Sequence, residues 1–148
     1  MTIETEKVTE YASNVTNPFT TTIIPRGSWR SNQAFKNVTQ DGAIPFDIRV
    51  MNCYDSLVRS GGSALWNLAA TSNGSFFLFP EKKEKLLRMC SPNGYEADVS
   101  VEVSGIVATL FALSSVGSRA AGDAYVRLQK FAYQLSDAEV GQIHWLID

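Results

Sequence analysis

The 148-residue chain carries 13 basic and 15 acidic side chains, a formal net charge of −2. That excludes both the basic surplus of a typical nucleic-acid binder and the carboxylate field of a DNA mimic, which must approach one charge per ~1.7 Å of duplex. An apolar content of 45% with mean hydropathy −0.07 describes a soluble, single-domain globular chain.

Residues 1–40 are dominated by Thr, Ser and Asn and carry little periodic signal. They are expected to form a partly ordered arm on a domain spanning residues 41–148, with about the first ten residues frayed. Within the arm, Thr20-Thr21-Thr22-Ile23-Ile24 has strand propensity before Pro25 interrupts it, and Gly27, Ser28 and Gly42 mark loops. Pro45 suits the first turn of a helix. Ile44, Ile48, Met51, Leu57 and Val58, with Tyr54 between them, predict an amphipathic helix that stops at Gly61-Gly62.

A hairpin follows, with residues 64–71 and 75–79 flanking Ser72-Asn73-Gly74. A two-residue turn at Asn73-Gly74 pairs Ala70 with Phe77 and Leu68 with Phe79, giving with Trp66 one wholly apolar face. The opposite face, with Phe76 and Leu78, is left for the arm or a partner to cover. Pro80 is placed to open a short helical turn through Lys85. Leu86–Cys90 and Tyr95–Val99 then form a second hairpin around Pro92-Asn93-Gly94, where Asn-Gly tolerates the positive φ of the turn.

Ser100 is placed to cap a helix, Val101–Val116, with Glu102 at the positive end of its dipole. The run Ile106–Leu113 is so apolar that this helix must be buried on most sides. Gly117 and Gly122 bracket a break containing Arg119. Asp123 is then expected to cap a helix bearing Tyr125, Leu128, Phe131, Ala132 and Leu135. Ser136 with Glu139 is a capping-box pattern for a last helix, in which Val140, Ile143 and Ile147 share a face. The fold class is therefore α+β: one domain, with an antiparallel sheet of about four strands built from two hairpins and packed on about four helices.

Catalytic chemistry has little to work with. His144 is the only imidazole and sits beside Trp145 with no motif around it, so a surface or structural role is the simpler reading. No G-x-S-x-G elbow occurs, and Gly61-Gly62 lacks the lysine and spacing of a phosphate loop. Cys53 and Cys90 read as small hydrophobes, and no zinc spacing exists. Glu96 and Asp98 share a strand face and read as a wet sheet surface. Trp66, Phe76, Phe77 and Phe79 read as core because no Arg or Lys interleaves them, as a base-stacking platform would require. Lys82, Lys83, Lys85 and Arg88 are diluted by Glu81 and Glu84 and read as a solvated face. No catalytic, cofactor or metal residue is assigned.

The polar N-terminus shows no secretory signal, and the longest apolar run falls short of the roughly 18 residues needed to span a bilayer. The expectation is a cytoplasmic protein away from membranes.

Three landmarks occur in order. Trp66 precedes Ser72-Asn73-Gly74-Ser75-Phe76-Phe77 and Pro80. Asn93-Gly94-Tyr95 and Ser100 precede Gly105-Ile106-Val107-Ala108-Thr109-Leu110-Phe111-Ala112-Leu113. The chain ends in Ile147-Asp148 after the helix with Tyr125, Leu128, Phe131 and Ala132. Over roughly residues 45–148 this resembles the ArdB/KlcA-type antirestriction proteins, small bacterial proteins often carried on mobile elements. Ser75 stands where the family usually has glycine, and Glu81–Lys85 is unusually charged. The resemblance implies a non-enzymatic protein that relieves type I restriction of incoming unmodified DNA. Its partner would be the type I restriction-modification complex, direct or indirect, without strong DNA binding. Asn73, Asn93 and the terminal Asp148 are shared landmarks that core packing does not demand, so they are the candidate partner contacts, although Asn-Gly is also what a hairpin turn needs. The alternatives are a nucleic-acid-associated or host-factor interaction module, which needs a positive patch, and a hydrolase with a polar pocket near His144. The oligomeric state is left open.

Overall fold

A computed structural model describes residues 7–9, 18–25, 28–39, 45–60 and 65–148. In chain order these form β1 (Lys7–Thr9), β2 (Thr21–Ile24), α1 (Trp29–Thr39), α2 (Phe46–Leu57), β3 (Trp66–Thr71) and β4 (Phe76–Pro80). There follow β5 (Leu86–Cys90), β6 (Glu96–Ser100), α3 (Val101–Val116), α4 (Arg119–Ala132) and α5 (Asp137–Ile147). The expectations at Gly27, Gly42, Ile44 and Gly61-Gly62, and most of the first ten residues, lie outside the described residues.

The architecture is α+β, but the strands divide into two antiparallel sheets. One has the order β1-β2-β3-β4, and β5-β6 stand apart as a second. The segment expected to be an arm supplies β1, β2 and α1. Ile23 pairs with Ala69, and Ile24 and Val38 are buried in the core. Helix α1 went unread because WRSNQAFKNVT is mostly polar, with only a narrow apolar stripe.

The β3-β4 pairing differs from the expected register by one residue: Ala70 opposes Phe76 and Leu68 opposes Leu78. The loop is three residues long, Ser72-Asn73-Gly74. It is closed by Gly74 N–H donating to Thr71 O (3.1 Å) and Thr71 N–H donating to Ser75 O (2.8 Å). Gly74 takes φ +93°, the left-handed conformation that ends such a loop with a bulge. Both faces of the sheet are covered. On one, Phe76 meets Phe46 of α2 edge-on at 5.5 Å and Phe35 of α1 at 6.1 Å. On the other, Phe77 meets Phe131 of α4 at 5.9 Å.

Helix α2 turns its Phe46, Val50, Tyr54 and Leu57 stripe inward, at steps of four, four and three residues. Of the expected apolar positions Tyr54 and Leu57 lie on this face, whereas Ile48 is 42% exposed. The helix ends at Leu57, and Val58 is extended and bridges to Met89 of β5. Residues 81–85 are irregular, with no helical turn.

Helix α3 is the hub. Ser100 ends β6 and caps α3, its hydroxyl accepting from Val103 N–H at 3.2 Å. Every residue from Val103 to Leu110 is buried. The helix lies along β4: Leu78 N–H donates to Thr109 Oγ1 at 3.1 Å, and Thr109 donates in turn to Gly105 O at 2.8 Å. Toward α2, Tyr54 and Ser104 share a buried hydroxyl contact of 2.9 Å. Gly117, at φ +79°, ends the helix.

Helix α4 begins five residues earlier than expected. Its cap is Ser118, which accepts from Ala121 N–H at 3.0 Å, and Gly122 and Asp123 lie inside the helix. The Ser118 hydroxyl also donates to Val38 O at 2.8 Å, satisfying a carbonyl near the end of α1. The capping box of α5 forms as expected between Ser136 and Glu139.

Candidate partner-contact surface

The two Asn-Gly loops share one construction. In the second, Gly94 N–H donates to Ser91 O (2.9 Å), Ser91 N–H donates to Tyr95 O (2.8 Å), and Gly94 has φ +91°. In both loops the Asn carbonyl oxygen serves the loop itself. Asn73 Oδ1 accepts from the Thr71 hydroxyl at 2.6 Å, and Asn93 Oδ1 accepts from Tyr95 N–H at 2.8 Å.

The Asn amide nitrogens leave the loop and reach helix carbonyls far away in sequence. Asn73 Nδ2 donates to Arg127 O of α4 at 2.8 Å. Asn93 Nδ2 donates to both Trp145 O and Asp148 O at 2.8 Å, satisfying carbonyls that α5 leaves unpaired at its end. A serine reinforces each junction: Ser75 Oγ donates to Ala124 O (2.7 Å) and Ser91 Oγ to Leu146 O (2.6 Å). Ser75 thus adds a buried hydrogen bond between hairpin and helix.

Of the three candidate contacts, Asn93 and Asp148 come together, while Asn73 sits at the other hairpin against α4. Around the Asn93 junction lies an aromatic surface that the sequence reading did not single out. Trp145 is 55% exposed. Its ring lies 6.4 Å from that of half-buried Tyr95 and 5.6 Å from that of exposed His144. Residues 131–148 contain no Lys or Arg, and they carry Asp137, Glu139 and Asp148. The available signal was Trp145 one helical step from the chain's end, in a segment free of basic residues.

The carboxylates of β6 are tied into local pairs. Glu96 and Asp98 are exposed on β6 and paired with Arg59 (3.6 Å) and Arg88 (3.1 Å). Cys90 Sγ lies 3.0 Å from Glu96 Oε1, and that hydrogen bond pushes the thiol pKa up and the carboxyl pKa down. Burial pushes the Cys53 thiol up as well. Both cysteines are free and held toward the unreactive thiol form. Among the described residues no group of three or more His, Cys, Asp or Glu is placed to hold a metal ion, and no helix is long and apolar enough to cross a membrane. A half-open groove of about 380 Å³ between α1, α4 and the β3-β4 hairpin has a floor of Ile24, Val38, Leu68 and Phe76, with Asp123 and Arg127 at α4. Among the described residues none of its lining is a histidine or cysteine.

Comparison with known proteins bears on this arrangement directly. The chain is 35% identical over 91 residues to the antirestriction protein KlcA of Escherichia coli, a match covering 56% of this chain and 61% of KlcA. It is 39% identical over 59 residues to a second Escherichia coli KlcA, covering 40% of this chain and 42% of that one. The matches thus span less than two thirds of these curated relatives. A solved structure of the KlcA and ArdB proteins, described as showing a novel fold and antirestriction activity against type I DNA restriction systems in vivo but not in vitro, superposes with a TM-score of 0.69 at 26% identity. It covers 88% of this chain and 96% of that one. The family model for antirestriction proteins matches residues 60–148, which take in both Asn-Gly hairpins, α3 and the C-terminal helices, and the chain belongs to that family.

Proposed function

We propose that this protein relieves restriction of incoming unmodified DNA by type I systems, and that it does so by protein contact, without catalysis and without mimicking DNA. The observation that carries this reading is the family match over residues 60–148 together with the shared KlcA/ArdB fold. The charge balance supports the mechanism: 13 basic against 15 acidic side chains cannot reproduce the phosphate ladder of a duplex. The contact surface we favour is the C-terminal one, where Asn93, Asp148, Tyr95 and Trp145 meet. Asn73 is the lesser candidate because it sits at the other hairpin, against α4, away from that group. The structural relatives act in vivo but not in vitro. This suits action on a working state of the restriction complex, or through a cellular component, inside the cell that receives the DNA.

The test is a plating assay. Unmodified phage is titred on cells carrying a type I system, with and without this protein. A clear rise in plating efficiency is expected, and no rise across several such systems overturns the proposal. If the purified protein displaces DNA from the restriction enzyme with a steep salt dependence, the protein-contact mechanism fails while the function stands.

A further inference from the structure

The end of α5 leaves a large aromatic ring in water, on a helix whose charged side chains, Asp137 and Glu139, are acidic and which runs into Asp148. Trp145 is 55% exposed, yet its backbone is tied to the second hairpin. Its carbonyl accepts from Asn93, and the next carbonyl, of Leu146, accepts from buried Ser91 at 2.6 Å. Tyr95, tilted by 34° against the indole, fixes it from the hairpin side. The ring thus stands on a backbone tied to the hairpin, and an anchored aromatic side chain loses less freedom on entering an interface.

Charge decides what such a ring would receive. On the neighbouring sheet each exposed carboxylate has its own arginine: Arg59 for Glu96 and Arg88 for Asp98. Asp148 has no such partner among the described residues, and no Lys or Arg occurs anywhere in residues 131–148. Stacking on nucleic-acid bases requires cations to hold the phosphates and is disfavoured here. A cation is favoured instead, because the indole face attracts it and the acidic, Lys- and Arg-free segment 131–148 that carries the ring adds to the attraction.

We propose that the Trp145–Tyr95 surface is a docking site for a cationic segment of a partner protein, seating an arginine or lysine side chain on the indole with Asp148 as its counter-charge. This deepens the protein-contact reading above and rests on it.

The test uses the full chain and a short arginine-bearing peptide, its citrulline counterpart and a single-stranded oligonucleotide as probes, with binding read by fluorescence anisotropy. The arginine peptide should bind and the citrulline peptide should not. Trp145→Ala, which leaves net charge unchanged, should weaken binding roughly five- to tenfold. Asp148→Asn should weaken it in the same direction. Trp145→Phe, a smaller change that keeps a ring on α5, should give an intermediate loss and stands in should the alanine variant fail to fold. Equal binding of arginine and citrulline peptides, undiminished binding by folded Trp145 variants, or preference for the oligonucleotide overturns the proposal. A parallel plating assay separates the two readings. Wild-type protein that relieves restriction while Trp145→Ala does so equally well sinks the docking site and leaves the function. Wild-type protein that gives no relief sinks the function, and the peptide measurements still decide the site.

Discussion

Gly105 shows how much a single side-chain position can decide. A Cβ built there would lie 2.2 Å from Leu78 O and 2.5 Å from Phe79 Cβ, so α3 can lie against β4 only because this residue has none. Gly105→Ala is expected to destabilise the fold by roughly 3 kcal/mol or more, read as a lowered urea midpoint at an unchanged slope. Tyr54 makes a different residue-scale argument. Burial raises its pKa from 10.0 to about 12, Glu84 and Asp55 add to the rise, and the Ser104 hydrogen bond partly offsets it. The native state therefore holds this proton more tightly than the unfolded chain does. The stabilisation is complete below pH 10 and is lost as pH rises from about 10 through about 12. Tyr54→Phe should flatten that alkaline loss while costing about 1 kcal/mol at neutral pH for the missing hydrogen bond, checked by denaturant titration across the pH range.

At the scale of elements, the two hairpins act as clips that fasten helices by their carbonyls. Asn93 presents N–H donors to two acceptors, so Asn93→Asp sets a carboxylate against two carbonyl oxygens. It should release the last turn of α5, seen as faster hydrogen exchange there and a stability loss of roughly 2 kcal/mol. Ser118→Ala removes both the cap of α4 and the donor to Val38 O, and should cost about 1–2 kcal/mol in thermal or chemical melts. These clips mark the limit of what was legible in the chain. Ser100, Ser136 and Glu139 act within three residues of their partners, and the sequence predicts their helix starts correctly. Asn93 reaches a carbonyl 55 residues away, and nothing in the sequence announces that reach. The same limit explains the register of β3 and β4. Asn73-Gly74 identifies the hairpin, but whether two or three residues form its loop depends on the Gly74 bulge and on Asn73 being held against α4. Helix α2 is legible in part for another reason: Tyr54 and Leu57 are expected on its apolar face and are buried there, but Ile48 is exposed, and Phe46 and Val50, at four-residue steps before Tyr54, complete the stripe. At the candidate surface, Asn93 and Asp148 were visible as residues, whereas Tyr95 and Trp145 join them only once the hairpin meets α5.

For the molecule as a whole, α3 makes two separate sheets into one cooperative body. It follows directly from β6, lies along β4, and packs against α2, α4 and α5. Unfolding is therefore expected to be a single transition, with far-UV dichroism and tryptophan fluorescence giving coincident midpoints. Two separated transitions would show that β5-β6 and α5 form an independent unit. The cover that α3 provides has a further consequence. Strand β4 reads Phe76-Phe77-Leu78-Phe79 and ends its sheet, the kind of apolar, uncharged edge that recruits strands from other chains. Thr109 occupies the outward amide of Leu78, and Gly105 brings the helix backbone down over the strand. Helix α3 is thus a guard against self-association. Variants that loosen it should disappear from cells as insoluble protein well before their secondary structure is lost.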